Sequence, residues 1–80
     1  MNILSQDGKT LINYNNIVSI NIEPLERAWR IKATYNGGSY IILATFYDKD
    51  ECKNTFDKLC NKIKKSREND TIDLENLWDD

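Results

Sequence analysis

The sequence predicts an α+β domain: an antiparallel β-meander of about five strands, with one amphipathic helix packed across it and a short acidic C-terminal tail. Three observations predict this fold class. Short stretches of alternating apolar residues fill the first half of the chain, with turn-forming residues between them. A helix-capping pattern then opens a stretch with helical periodicity. The last segment is rich in acidic residues and contains no base.

The strands follow from the apolar patterns and from the turns that separate them. Asp7-Gly8 predicts a tight hairpin turn of type I′, in which both central residues adopt positive φ. Pro24 ends a strand because it cannot donate a hydrogen bond to a ladder. The stretch 39–46 is apolar on both faces, so we expect it to be central or covered on both sides. The predicted strands are residues 3–6, 9–12, 17–22, 28–35 and 39–46.

A single amphipathic helix is predicted after residue 47. Asp48 and Glu51 form a capping-box pattern, and an apolar stripe then runs from Cys52 to Ile63. Basic residues load the C-terminal end of this helix, where the helix dipole favours them. We therefore expect the helix to lie on the apolar face of the sheet.

The chain divides into a predicted domain and a tail. Residues 1–67 form the β-meander and helix domain, and residues 68–80 form an acidic tail for which a short helix is one available conformation. A chain of 80 residues buries only about 60% of its unfolded surface, so a lone domain is marginal. Formation of a homodimer, docking of the tail or a partner would add the missing stability.

Composition excludes most catalytic chemistry. The chain has no histidine, which removes Ser-His-Asp and Cys-His arrangements and disfavours a zinc site. Cys52 and Cys60 would stand about 12 Å apart on one helix, too far for a disulfide. Gly37-Gly38 is expected to form a hairpin turn and not a phosphate-binding loop. The sequence therefore predicts a non-enzyme without cofactor or metal.

A cluster of basic residues is predicted on the exposed face of two neighbouring strands. Arg27, Arg30 and Lys32 stand close together, and Tyr14 and Tyr40 are candidate aromatic neighbours. Arginine beside aromatic rings can hold a phosphate and stack a base, so these three cations are the predicted ligand-binding residues. A solvated sheet face is the alternative. The cations are too few for duplex DNA.

The acidic tail is the second candidate site. Apolar residues among acids at near-helical spacing can enter the groove of a partner protein. The tail could instead cap the core, fold back onto the basic end of the helix or fray. The predicted partner-binding residues are Asp73, Glu75, Leu77, Trp78 and Asp79.

The N-terminal stretch resembles a known family. Residues 1–10, together with Asn13-Tyr14 and Asn16-Ile17-Val18, look like the opening of small proteins from Firmicutes and their phages. Some longer proteins with this opening resemble Thoeris anti-defence sponges, which sequester nucleotide immune signals. The resemblance covers about residues 1–63, with the specific part in the first eighteen, and it carries over no binding residues. It implies a non-enzymatic phage or mobile-element protein that counters bacterial defence.

Two functions are therefore expected. The first is a protein-binding inhibitor of a bacterial immune protein, such as a CRISPR or other defence nuclease, that uses the acidic tail and an exposed sheet edge. The second is a sponge that sequesters a cyclic nucleotide immune signal with the basic cluster. Because the chain lacks an apolar run long enough to span a membrane and its start does not resemble a signal peptide, we expect it in the cytoplasm of the host bacterial cell.

Overall fold

The structure is a computed structural model that describes residues 1–79; the side chain of Asp79 and all of Asp80 lie outside the described residues. The described residues form six strands and one α-helix, so the α+β class is confirmed. The elements are β1 (Asn2–Leu4), β2 (Leu11–Asn13), β3 (Ile17–Pro24), β4 (Trp29–Tyr35), β5 (Tyr40–Phe46), α1 (Lys49–Lys65) and β6 (Thr71–Asp73), with short 3₁₀ turns at Tyr14–Asn16 and Leu77–Asp79.

The strands form two sheets, which corrects the predicted single meander of five strands. β3, β4 and β5 make an antiparallel meander, while β2, β1 and β6 make a second sheet in which β6 is parallel to β1. The sixth strand escaped prediction because it is three residues long and only its central residue, Ile72, is buried. A strand this short is too brief to show an alternating pattern. Its pairing also depends on β1, which lies at the other end of the chain.

β5 lies at an edge of the larger sheet and not at its centre. Its two apolar faces have a local explanation: a bulge opposite Ile31 and Lys32 inserts Leu43 as an extra residue. The bulge lets Leu43 and Ala44 both reach the core, at 1% and 4% exposure. The outer edge of β5 is covered by Gln6, whose backbone N–H donates to the carbonyl of Leu43 at 2.8 Å.

The turn between β1 and β2 also differs from the prediction. Gly8 has a positive φ of 72°, but no non-glycine residue among those described does, so Asp7-Gly8 is not a type I′ turn. The loop instead closes between Ser5 and Thr10, where the Ser5 N–H donates to the Thr10 carbonyl at 2.8 Å. The Ser5 hydroxyl donates to Asp7 at 2.6 Å. This bond, followed by one from the backbone N–H of Lys9, holds the pKa of Asp7 below its ordinary value.

One core joins both sheets, the helix and the C-terminal segment. The larger sheet buries its inner face against α1, and the smaller sheet adds the central residues of its three strands. The described part of the C-terminal segment contributes to this core, because Ile72, Leu74 and Leu77 are at most 5% exposed. The buried apolar core residues are Ile3, Ile12, Ile31, Ala33, Leu43, Ala44, Phe46, Cys52, Leu59, Ile72, Leu74 and Leu77.

Helix α1 begins after Asp48, its predicted cap, and ends before Ser66. The Asp48 side chain accepts a hydrogen bond from the backbone N–H of Asp50 at 2.9 Å, which satisfies one of the free donors of the first turn. At the other end, the Ser66 hydroxyl donates to the Lys62 carbonyl at 2.6 Å. Among the residues described, no helix is long and apolar enough to cross a membrane.

We expect Leu77→Ala to destabilise the fold by about 2–5 kcal/mol, because it leaves a cavity under the C-terminal segment. Urea unfolding followed by circular dichroism measures this change. The matched control is Leu11→Ala at a side chain that is 58% exposed, for which a change within about 0.5 kcal/mol is expected. Equal effects of the two substitutions would show that the C-terminal segment is not part of the core.

Candidate functional site

The predicted ligand-binding residues Arg30 and Lys32 share one carboxylate. The β3–β4 register places Glu23 directly opposite Arg30 on the outer face of the larger sheet. Glu23 accepts a hydrogen bond from Arg30 Nε at 2.5 Å and one from Lys32 Nζ at 2.9 Å. Sequence reasoning missed Glu23 as a member of this cluster, although a two-residue turn after Leu25 pairs positions 23 and 30.

Tyr40 completes this cluster from the neighbouring strand. The Arg30 guanidinium carbon lies 5.9 Å from the ring centroid, and Lys32 Nζ lies 5.0 Å from it. Both distances are within the range of a cation–π interaction. Tyr40 as a whole is still 54% exposed. We call Glu23, Arg30, Lys32 and Tyr40 the cation–tyrosine cluster.

The two other residues predicted near this cluster lie elsewhere. Arg27 is exposed in the turn between β3 and β4, and it takes no part in the ion pairs or ring contacts of the cluster. Tyr14 is half-buried and packs against the core beneath the start of β3. The structure therefore brings together Arg30, Lys32 and Tyr40, but not Arg27 or Tyr14.

Electrostatics limit what the cation–tyrosine cluster can bind. Its two cations and one carboxylate leave a net charge of +1. The bonds from Lys32 and then Arg30 hold the pKa of Glu23 below its ordinary value of 4.5, so the carboxylate stays ionised at neutral pH. An anionic ligand would therefore compete with Glu23 for both cations, while the exposed face of Tyr40 remains available for stacking.

The predicted partner-binding residues take three different positions. Leu77 is 1% exposed and anchors the C-terminal segment in the core, so it is not a surface residue. Asp73 is occupied locally: its carboxylate accepts from the backbone N–H of Glu75 at 2.9 Å and from Asn76 Nδ2 at 2.8 Å. Glu75 is exposed, and its carboxylate lies close to Gly8. A Cβ added at Gly8 would lie 2.9 Å from the Glu75 carboxylate. The predicted contact through the Asp79 side chain lies outside the described residues.

Trp78 is the exposed aromatic residue of this segment. Its side chain is 57% exposed although Leu77, immediately before it, is buried. Lys58 of α1 places its Nζ 4.4 Å from the centroid of the indole, a cation–π contact that orients the ring. The sequence named Trp78 as a partner-binding residue, but it did not identify the lysine that contacts its ring.

A groove of about 730 Å³ lies between α1 and the C-terminal segment, next to Trp78. Its helix side carries Lys58, Lys62 and Lys65, and its other side carries Asp70 and Asp73. The groove therefore offers positive and negative groups within one concave surface. Its remaining lining residues are Asn61, Ser66, Thr71, Ile72, Asn76 and Leu77.

The environment of Cys52 disfavours a reactive thiol. Cys52 is fully buried, and burial raises the pKa of its thiol, which disfavours the nucleophilic thiolate. Within residues 1–79, no group of three or more cysteine, aspartate or glutamate side chains is placed to hold a metal ion. The concave and exposed surfaces described above are suited to binding.

No known protein-family description, curated protein or solved structure matches this chain.

We expect Lys32→Met to raise the pKa of Glu23 towards its ordinary value of 4.5, because the largest cause of the lowered pKa is removed. The stability that this ion pair adds is present above pH 4.5 and is lost as the pH falls through the folded-state pKa. The stability difference between wild type and Lys32→Met therefore shrinks in acid. NMR titration of the Glu23 carboxyl carbon measures the pKa.

The matched control for this titration is Lys53→Met, which removes an exposed ion pair to Asp57 on α1 and should leave the Glu23 midpoint unchanged. A Glu23 midpoint that is the same in wild type and Lys32→Met would contradict the assigned cause.

Proposed function

We propose that this protein is a non-enzymatic, phage or mobile-element counter-defence protein that binds and inhibits a bacterial immune protein in the host cytoplasm. The class of target is a CRISPR or other defence nuclease. The observation that best supports a protein-binding role is the exposed Trp78, which is 57% exposed beside a groove of about 730 Å³. The counter-defence context rests on the resemblance of residues 1–18.

Trp78 has the features of an interface anchor. Tryptophan is enriched among the residues that dominate binding energies, where a large ring fills a pocket of the partner. Leu74 and Leu77 hold the backbone before it, and Lys58 holds one face of its ring. Because the ring is held in place before binding, less conformational entropy is lost when a partner covers it.

The acids on the C-terminal side of this surface favour a basic partner, while the helix side of the groove carries Lys58, Lys62 and Lys65. Residues 68–80 contain six acids and no base. Of these acids, Glu68, Asp70 and Glu75 are exposed. A nuclease must present cations to the phosphates of its substrate, and an acidic surface can face those cations in place of the nucleic acid. The same surface would speed association with such a target at low salt.

Nucleotide sequestration is the second candidate function, and the cation–tyrosine cluster is the observation that favours it. Tyr40 is 54% exposed and offers a stacking face beside two cations. Glu23 already occupies those cations, however, so a phosphate must displace it. This competition is why the protein-binding function is the better supported of the two.

Three single substitutions at exposed aromatic residues separate the functions. Trp78→Ala should abolish protection of phage in cells that carry a sensitive defence nuclease, because loss of an anchoring tryptophan costs on the order of 2 kcal/mol or about thirtyfold in affinity. Tyr47→Ala is the matched control, at a tyrosine that is 84% exposed and belongs neither to the cation–tyrosine cluster nor to the lining of the groove. The measurement is plaquing efficiency, with thermal unfolding to show that each variant is folded.

Tyr40→Ala tests the second function in the same assay. If Tyr40→Ala abolishes protection while Trp78→Ala retains it, the protein-binding proposal is wrong and sequestration is supported. Calorimetry of the wild type against a panel of cyclic nucleotides provides the independent check. Heat that disappears in Tyr40→Ala would identify the sponge activity, and no heat with any nucleotide would remove it.

A further inference from the structure

The larger sheet has one covered edge and one open edge. At the β5 edge, Gln6 binds twice, since its N–H donates to Leu43 at 2.8 Å and its side-chain oxygen accepts from Thr45 at 3.0 Å. At the opposite edge lies β3, which is the longest strand and pairs with β4 alone among the described residues. Open edges of this kind are templates for pairing with another strand.

Hydrogen-bond alternation identifies the free backbone groups of β3. The Leu25 N–H donates to the Ala28 carbonyl at 2.8 Å, so this pair is a hydrogen-bonded one. Hydrogen-bonded and non-hydrogen-bonded pairs alternate along an antiparallel ladder. The backbone groups of Ile20 and Ile22 therefore point away from β4. Pro24 occupies the next outward position, where its missing N–H disturbs no bond to β4.

The other hairpin gives the same assignment. The Tyr35 N–H donates to the Ser39 carbonyl at 2.7 Å, so Tyr35 and Ala33 face β5. Ala33 is the partner of Ile20 in the β3–β4 register. Since Ala33 bonds to β5, Ile20 must direct its own N–H and carbonyl outward. The one described hydrogen bond at this edge is a long contact of 3.5 Å from Asn21 Nδ2 to the carbonyl of Ile22.

Protection against pairing is confined to the two ends of this edge, where β3 is bulged at Val18 and closes with Glu23 and Pro24. Edge strands are commonly guarded by charged residues or by proline, but residues 17–22 contain neither. Val18 is 62% exposed and Leu25, just beyond the strand, is 41% exposed. Below the edge, an apolar groove of about 330 Å³ is lined by Ile17, Ile20 and Ile63, among other residues.

We propose that β3 pairs with β3 of a second copy of this chain, antiparallel about a two-fold axis at Asn21, to form a continuous six-stranded sheet. This register pairs Ile20 with Ile22 of the second copy and Ile22 with its Ile20. The outward N–H and carbonyl groups of Ile20 and Ile22 then all form hydrogen bonds, four donors and four acceptors over the two copies. An axis at Ile22 would instead pair Ile20 with Pro24, which has no N–H to give.

The side chains favour a second copy as the occupant. In this register, isoleucine meets isoleucine on the inner face, and no charge faces a like charge on the outer face. Ser19 lies opposite Glu23 of the second copy, where a hydroxyl can donate to a carboxylate. The end of β3 that leads to Leu25 lies beside the partner's Val18, so the exposed apolar residues at the two ends of the strand cover one another. The adjoining groove is closed by the same contact.

The register makes Asn21 the position at which the proposal is tested. In the dimer, Asn21 of each copy forms a non-hydrogen-bonded pair with Cα atoms about 4.5 Å apart, which is within the range of a disulfide. Asn21→Cys in a Cys60→Ser background should therefore cross-link into a covalent dimer under mild oxidation. Thr45→Cys in that background is the matched control, because Thr45 is exposed on the opposite edge. The remaining thiol, Cys52, is fully buried in the wild-type fold and should not compete.

A second substitution tests the interface without covalent chemistry. Asn21→Asp places a carboxylate beside Lys32 of its own chain, its register partner on β4, but opposite an identical carboxylate of the second copy. The variant should fold and should dimerise on the order of fivefold more weakly, since like charges directly opposite in a ladder repel. Sedimentation equilibrium of the full chain measures the dissociation constant, and circular dichroism verifies the fold.

The wild type is expected to sediment at twice its mass of 9.4 kDa as its concentration rises. A chain that stays monomeric at every soluble concentration would overturn the proposal. So would a dimer in which Asn21→Cys cross-links no faster than Thr45→Cys, or one that Asn21→Asp does not weaken.

Discussion

The parallel pairing of β1 with β6 is the interaction on which the rest of the structure depends. It aligns Ile3 with Ile72, two buried residues from opposite ends of the chain. Hydrogen bonds extend the pairing at both ends, where the Asn2 N–H donates to Asp70 and the Leu74 N–H donates to Leu4. The Met1 amine also binds the carbonyl of Glu68. Without this pairing, the domain of 80 residues would lose one of the three strands of its second sheet. It would also lose the anchor for its last apolar side chains.

The same pairing decides which surfaces remain for binding. It draws the acidic segment against α1, so that Leu77 enters the core and Trp78 stays outside over Lys58. The groove next to this ring exists because the segment folds back along the helix. The loop after β1 also carries Gln6 to the edge of β5, which leaves β3 as the uncovered edge of the larger sheet. Folding and the choice of binding surface therefore share one cause.

The three candidate surfaces differ in how completely folding already uses their groups. The cations of the cation–tyrosine cluster are held by Glu23, so a ligand must compete for them. Trp78 is 57% exposed, and its ring is contacted by Lys58 of the same chain. Along β3, the outward groups of Ile20 and Ile22 have nearly no internal partners. Unused donors, acceptors and apolar area at an edge favour association more directly than charges that are already paired.

By itself, the sequence determined the local features: the meander of β3, β4 and β5, the capped helix from Asp48 and the absence of histidine chemistry. These follow from alternation, capping and composition, which act over a few residues. Only the tertiary structure decided the parallel strand around Ile72, the burial of Leu77, the bulge at Leu43 and the role of Glu23 between two cations. Each of these depends on a partner distant in the chain or on a register shift, and no short pattern of residues specifies either one.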